Sequence, residues 1–382
     1  MEEGSTMSDE VKQRKAEHVQ ISLAHDISAP QSASWADIHL IHQAAPEVNL
    51  DEIDTSVEYL GRRLRYPIFI SSLTGGHPDV AIINERLGVI AQEYGLAMGV
   101  GSQRAALMTP QLASTYSVTR AKAPDAFLIA NVGAPQLIEQ RNKPAFTADD
   151  ARAAVQMIGA DALAIHLNFL QEAAQPEGDR NARGVLASIR DIADTVGVPV
   201  IAKETGAGVN YKQARKFVRA GVSAIDVGGA GGSSMAAMEA QRAQDRGDHR
   251  TGAIGALYRD WGIATPIAVV EAHAGAPDLP ITSTGGVRSG LDAARALALG
   301  ASLVGLGFPF LKAAAESEAA VREFLDQFLR ELCVAMQLTG SGSIDELQQA
   351  PVIVTGASRD WLELRGFGEK LRLLAQRGMD ER

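Results

Sequence analysis

Four polar residues gather in the segment IHLNFLQE: His166, Asn168, Gln171 and Glu172. The apolar run ALAIHL that leads into them reads as a buried strand. Side chains alternate along a strand, so His166 and Asn168 share one face, while Gln171 and Glu172 open the following loop. A buried strand seldom ends in such a set without a ligand to satisfy it, although a hydrogen-bonded structural network is the plainer alternative. Glu172 is a hard oxygen ligand of the kind that magnesium uses together with phosphate oxygens, or else a solvated loop carboxylate. Lys203 ends another apolar run, VPVIAK. There it suits a Schiff base, a phosphate contact or stabilisation of an anionic cofactor ring; a salt bridge to Glu204 or Asp226 is the structural alternative. In GSQR, Ser102, Gln103 and Arg104 bring a hydroxyl, an amide and a guanidinium to one loop, which suits an anion. Arg14, Lys15 and His18 in RKAEH form a local basic patch, or simply a solvated helix face.

These residues must be positioned by a scaffold, and the 37 glycines show where its loops lie. The clusters LTGG (73–76), GVGS (99–102), NVGA (131–134), ETGAG (204–208), VGGAGGSS (227–234), STGGVRSG (283–290) and GLGFP (305–309) each follow a strand-like run. Those runs are PIFIS (67–71), GLAMGV (95–100), FLIAN (127–131), ALAIHL (162–167), VPVIAK (198–203), SAIDVG (223–228), PITST (280–284) and SLVGLG (302–307). Amphipathic helical stretches follow, for example 80–94, 148–158, 185–196, 211–220 and 290–299. The runs are apolar nearly throughout, as expected for strands covered on both faces. Eight strand–helix units predict an α/β fold, a (β/α)8 TIM barrel over 67–311, with a disordered leader at 1–10, an N-terminal extension at 11–66 and a C-terminal helical segment at 312–382. In that segment Phe324, Phe328, Leu332 and Met336 recur about every four residues and face a packing partner. The glycine clusters then lie at the C-terminal face of the barrel, where active sites are built. The loops after strands seven and eight predict a phosphate site held by backbone amides, with Arg288 beside it.

Composition excludes several classes. Hydrophobic residues make up 46% and charged residues 21%, which suits a packed protein, and the net charge of -10 disfavours nucleic acid and anionic lipid as partners. An anionic ligand therefore needs a local basic pocket. The single cysteine, Cys333, rules out an intramolecular disulfide framework and multi-cysteine metal centres, and points to a reducing cytoplasmic compartment. No apolar run approaches 20 residues, and MEEGSTMSDE lacks the basic-then-apolar texture of a signal peptide. Membrane insertion and secretion are not expected.

The succession RKAEH, SSLTGG, GVGSQR, ANVGAPQL, IHLNFLQE, the strand-five lysine, DVGGAGG and STGGVR resembles that of the type 2 isopentenyl-diphosphate isomerases, flavin-dependent isomerases of isoprenoid synthesis, over roughly 14–311. The resemblance implies a (β/α) barrel that binds FMN and magnesium, uses NADPH to reduce the flavin, and assembles as a homo-tetramer or octamer. It implies that Ser72, Leu73, Thr74, Ser102, Asn131, Lys203, Gly228 and Ser233 hold FMN, with its phosphate on Gly285, Gly286 and Arg288 near Gly307. Arg14, Lys15, His18, Ser102, Gln103, Arg104, His166 and Asn168 are expected around the substrate diphosphate. Gln171 faces the allylic carbons, Glu172 binds magnesium, and Lys203 stabilises the anionic reduced ring. The implied reaction converts isopentenyl diphosphate to dimethylallyl diphosphate by an allylic proton shift, with reduced FMN as acid and base and no net redox change.

Three segments depart from that pattern. The strand-six loop has GGAGGSS where SGxGGT is usual, KETG replaces KEVG, and His77 follows LTGG. The competing reading is an FMN-dependent 2-hydroxy-acid oxidoreductase of the same barrel class. Such an enzyme needs a base near strand seven, and STGGVR supplies no histidine there.

Overall fold

The computed structural model describes residues 17–29, 34–141 and 143–379. The expected leader at 1–10, together with Arg14 and Lys15, lies outside the described residues. Eight parallel strands close a barrel: β1 (Ile68–Ile70), β2 (Ala97–Gly99), β3 (Phe127–Gly133), β4 (Ala162–Leu167), β5 (Val200–Glu204), β6 (Ala224–Asp226), β7 (Ile281–Thr284) and β8 (Leu303–Leu306). Each pairs with the next in sequence, and β8 pairs with β1 to close the ring. Each of the eight apolar runs contains a strand, with β3 continuing two residues beyond its run to Gly133 and β5 one residue beyond to Glu204. One set of alternate side chains, including Phe69, Ala97, Phe127, Ile129, Ala162, Ala164, Ile201, Ala224 and Leu303, fills the barrel interior. The other set packs outward on helices such as Ala81–Tyr94, Ala148–Ile158, Val185–Thr195, Tyr211–Arg219 and Gly290–Ala298. Burial on both sides explains why these strands read as continuous apolar runs.

The N-terminal extension has a structural role that its mixed sequence did not reveal. Strands Val57–Tyr59 and Arg62–Leu64 form an antiparallel hairpin, and Tyr59 and Leu64 belong to the inner barrel core. Tyr59 meets Phe127, the first residue of β3, edge to face at 5.8 Å, so the hairpin plugs the N-terminal end of the barrel. Strand Ile38–Leu40 pairs antiparallel with Val352–Val354, joining the two extensions. The C-terminal segment is therefore not wholly helical. The expected boundary at Leu311 also falls inside helix Phe308–Glu316. Beyond it, helix Glu318–Leu338 packs between Gly290–Ala298 and Ala81–Tyr94 and completes the outer ring, with Phe328, Leu332 and Met336 buried. The β6–β7 connection is the longest departure from a simple barrel, carrying helices Met235–Asp245, His249–Leu257 and Thr265–Gly275. Among the described residues no helix is long and apolar enough to cross a membrane.

A buried carboxylate fastens the C-terminal segment to this frame. Glu271 is wholly buried and accepts from the Tyr211 N–H at 2.9 Å, the Trp361 indole at 3.1 Å and Arg365 at 3.0 and 3.1 Å. Burial opposes its ionisation, but the Arg365, Tyr211 and Trp361 hydrogen bonds outweigh it and hold the carboxyl below its ordinary value. Glu271→Gln is expected to cost about 1–3 kcal/mol in urea unfolding near neutral pH. A depressed carboxyl stabilises the fold above its unfolded value and loses that contribution as pH falls through its folded value, so the gap between the two proteins should narrow below about pH 4. Equal stability at neutral pH would refute this anchoring role.

Candidate functional site

Parallel register places Gly133, His166, Lys203 and Asp226 opposite one another on β3 to β6, at one level of the barrel's C-terminal end. Two adjoining cavities of about 220 and 140 Å³ open at that end. They share His18, Ser72, Leu73, Lys203, Thr205 and Met235 as a common wall. Lys203 is buried within it, and its Nζ lies 2.7 Å from Asp226 Oδ2. Of the two structural partners available to this lysine, the structure selects Asp226. Glu204 is engaged elsewhere: its Oε2 accepts from the N–H groups of Thr205, Gly206, Ala207 and Gly208 at 2.5 to 3.0 Å, which fixes the loop after β5.

The larger cavity is floored by glycine. Gly228, Gly285 and Gly286 have φ of +44°, +127° and +68°, in the region L side chains rarely adopt. A Cβ on Gly285 would overlap the Gly229 carbonyl, and one on Gly232 would lie 2.7 Å from the Gly286 nitrogen, so the loops after β6 and β7 meet backbone to backbone. A Cβ on Gly228 would overlap the Glu204 carbonyl, so in this chain the close approach itself requires the departure from serine. Ser233 lines the same cavity, and Thr205 faces both. The hydroxyls of Ser72, Thr74 and Thr284 also line it and are buried without a hydrogen-bond partner among the described residues. Unsatisfied buried hydroxyls are rare, and here they suit a polar ligand. At the far end, the Arg288 guanidinium donates to the adjacent Val287 carbonyl and its backbone N–H donates to Asp292 Oδ2 at 3.2 Å, and among the described residues no carboxylate forms an ion pair with the guanidinium. Helix Phe308–Glu316 starts beside it at Gly307 without a side-chain cap, leaving N–H groups for an anion. His77 instead caps the short turn Pro78–Val80 and lines neither cavity.

The smaller cavity holds the strand-four set. His166 Nδ1 lies 2.8 Å from Asn131 Oδ1, and Asn168 Nδ2 donates to Glu172 Oε1 at 3.2 Å and Gln171 Oε1 at 3.3 Å. Asn168 Oδ1 is buried and unpartnered. Ser102 and Arg104 complete the wall, and Glu172 is its only carboxylate among the described residues. No cluster of three or more His, Cys, Asp or Glu that could hold a metal occurs among the described residues, so an ion here would draw its remaining ligands from water and substrate.

Gln103 requires a correction. It is wholly buried and lines neither cavity. Its side chain accepts from the Asn131 N–H at 2.8 Å and donates to the Ala154 carbonyl at 2.8 Å, bracing the loop after β2 against β3 and helix Ala148–Ile158. Within GSQR, Gly101, Ser102 and Arg104 reach the cavity and Gln103 does not.

A carboxylate that supports the site was missed. Glu239, on helix Met235–Asp245, accepts from Gln171 Nε2 at 2.8 Å, lies 3.1 Å from His18 Nε2 and pairs with Arg242 at 3.1 Å. Burial works against its charge, but the His18 hydrogen bond, followed by Gln171 and Arg242, holds the carboxyl down to about 2. The available signal was Glu239 and Arg242 placed three apart within the alanine-rich MAAMEAQRAQ. His18 reaches this point because residues 17–24 are helical and dock on the same helix. Glu17 pairs with Arg242 and Arg246, Ile21 and Ile27 pack on Ala237 and Met238, and Ser28 bridges to Ser233.

The sequence profile of the FMN-dependent dehydrogenase family matches residues 140–354. Isopentenyl-diphosphate delta-isomerases of Methanosarcina mazei and Archaeoglobus fulgidus are each 45% identical to this chain, over 95% and 92% of it and 98% and 99% of their own lengths. That of Halobacterium salinarum is also 45% identical, over 95% of this chain and 99% of its own. A mandelate oxidase structure shares 19% identity with a TM-score of 0.58, covering 88% of this chain and 95% of its own, which shows a common fold. The full-length similarity at this identity places the chain in the isopentenyl-diphosphate delta-isomerase family.

Proposed function

We propose that the chain interconverts isopentenyl diphosphate and dimethylallyl diphosphate, with FMN in the larger cavity and the diphosphate in the smaller. The observation that carries this reading is the shared wall: Lys203 borders a glycine-floored cavity with unpartnered hydroxyls on one side and the His166, Asn168, Gln171 and Glu172 set on the other. FMN fits the first, its polar atoms meeting Ser72, Thr74 and Thr284 and its phosphate meeting Gly285, Gly286, Arg288 and the helix start at Gly307. When bound in reduced form, FMN supplies acid–base chemistry at ring nitrogen N5, where an ordinary carboxylic acid protonates an unactivated alkene poorly.

The chain's own residues hold and orient. Lys203, fixed by Asp226, presents positive charge at the boundary between cofactor and substrate. Arg104, Ser102, His166 and Asn168 receive the diphosphate, with Arg14 and Lys15 expected to add charge from outside the described residues. Glu172 contributes a carboxylate to a magnesium ion that the diphosphate also binds. Gln171, its amide nitrogen tied to Glu239, is oriented toward the allylic carbons. Binding energy from the diphosphate end thereby positions an otherwise featureless alkene. NADPH as flavin reductant, homo-oligomeric assembly as a tetramer or octamer, and a cytoplasmic location complete the proposal. The 2-hydroxy-acid oxidoreductase alternative is disfavoured because the loop after β7 carries no histidine, and the likeness to mandelate oxidase is one of fold.

Anaerobic incubation with isopentenyl diphosphate, FMN, Mg²⁺ and NADPH should yield dimethylallyl diphosphate while consuming far less than one NADPH per product. Absence of product, or stoichiometric oxidation of NADPH, would contradict the proposal. Glu172→Gln should raise the Mg²⁺ concentration for half-maximal rate by about tenfold or more while leaving FMN binding intact. An unchanged magnesium response would remove Glu172 from the metal site.

A further inference from the structure

The turn QPEGD at 175–179 has no part in the chemistry described so far, yet it holds a buried carboxylate against the diphosphate cavity. Asp179 is 6% exposed. Its Oδ2 accepts from Arg104 Nη1 at 3.2 Å and Gln136 Nε2 at 3.0 Å, and its Oδ1 from Lys143 Nζ at 2.9 Å. Burial opposes the charge of Asp179, but the Lys143 and Gln136 hydrogen bonds and nearby Arg104 hold its carboxyl below the ordinary range. The backbone N–H of Asp179 donates to Glu172 Oε2 at 2.8 Å, the same oxygen that accepts from Gln175 Nε2 at 2.7 Å. The turn is packed so closely that a Cβ on Gly178 would overlap the Glu172 carbonyl.

We propose that Asp179 is a positioning residue for the diphosphate site: its carboxylate fixes the Arg104 guanidinium and its backbone N–H fixes Glu172. This rests on the assignment of the smaller cavity to the diphosphate. Glu172 Oε2 is occupied by the turn, whereas among the described residues Oε1 meets Asn168 Nδ2 alone, so the turn selects which oxygen faces an incoming ion. The carboxylate also makes a sign test possible. Considered as charge alone, Asp179 beside Arg104 repels a diphosphate, and its neutralisation should tighten binding. As a positioning group, it holds a long side chain in the binding geometry, and its neutralisation should weaken binding.

Calorimetric titration of the FMN-loaded protein with inorganic pyrophosphate and Mg²⁺ separates the two. Asp179→Asn should weaken pyrophosphate about fivefold or more, and Asp179→Glu, which keeps the charge but shifts the carboxylate, should weaken it in the same direction. In an Arg104→Gln background, Asp179→Asn should cost nothing further, because the effect passes through Arg104. The Mg²⁺ concentration for half-saturation should stay unchanged in Asp179→Asn, since the backbone N–H to Glu172 remains. Flavin absorbance of each variant reports folding, and Asp179→Glu carries the comparison if Asp179→Asn does not take up FMN. Pyrophosphate binding as tight as or tighter than wild type in the folded Asp179 variant, or an additive loss in the double variant, overturns the proposal alone. Wild-type protein that fails to bind pyrophosphate overturns the diphosphate assignment and this proposal together.

Discussion

The site depends on one buried ion pair, Lys203 with Asp226, at the boundary of the two cavities. Removing two charges from water is costly, and a buried pair persists only where geometry and further hydrogen bonds offset that cost. Barrel register supplies the geometry, because β5 and β6 place these two residues directly opposite each other. Asp226 Oδ1 also accepts from the Gly228 N–H at 3.2 Å, so the carboxylate that holds the lysine fixes the start of the glycine loop as well. The same register sets His166 beside Lys203 on the other side. The ammonium group is thus held in the wall that the two cavities share.

Both ends of the barrel are finished by the chain before β1. The hairpin with Tyr59 plugs the N-terminal end, and residues 17–29 lie across the mouth, fastened by Glu17, His18 and the bridge to the β6 loop. The long β6–β7 connection receives this segment, since Glu239 and Arg242 lie on its first helix and Arg246 caps that helix. The Gln171 side chain and the docked N-terminal helix therefore converge on Glu239.

The barrel was legible because strands buried on both faces leave apolar runs and turns at strand ends leave glycines, and all eight runs contain a strand. The strand-four set, Lys203 and the loops after β7 and β8 were legible for a related reason: polar groups at the ends of buried strands need partners. Other features depend on information that local spacing does not carry. Gln103 lies between two cavity-lining residues, but its amide is consumed by backbone groups that come near only in the folded barrel. Glu239 sits on a helix within a connection that has no place in a simple eightfold repeat. The hairpin plug is two three-residue strands, too short for alternation to show. The boundary at Leu311 failed because helix Phe308–Glu316 continues through it, with no glycine or proline there to mark a stop.

On the proposed function, the decisive role is the electrostatic action of Lys203 on bound FMN from the shared wall. It is tested most directly by the midpoint potential of bound FMN in the pair replacement Lys203→Met with Asp226→Asn, which removes both charges and strands neither. A lower potential than in the wild-type protein is expected, because the reduced anionic ring loses a cation that lines its cavity, whereas Asp226 lines neither cavity. A potential equal to or above that of the wild type would contradict it.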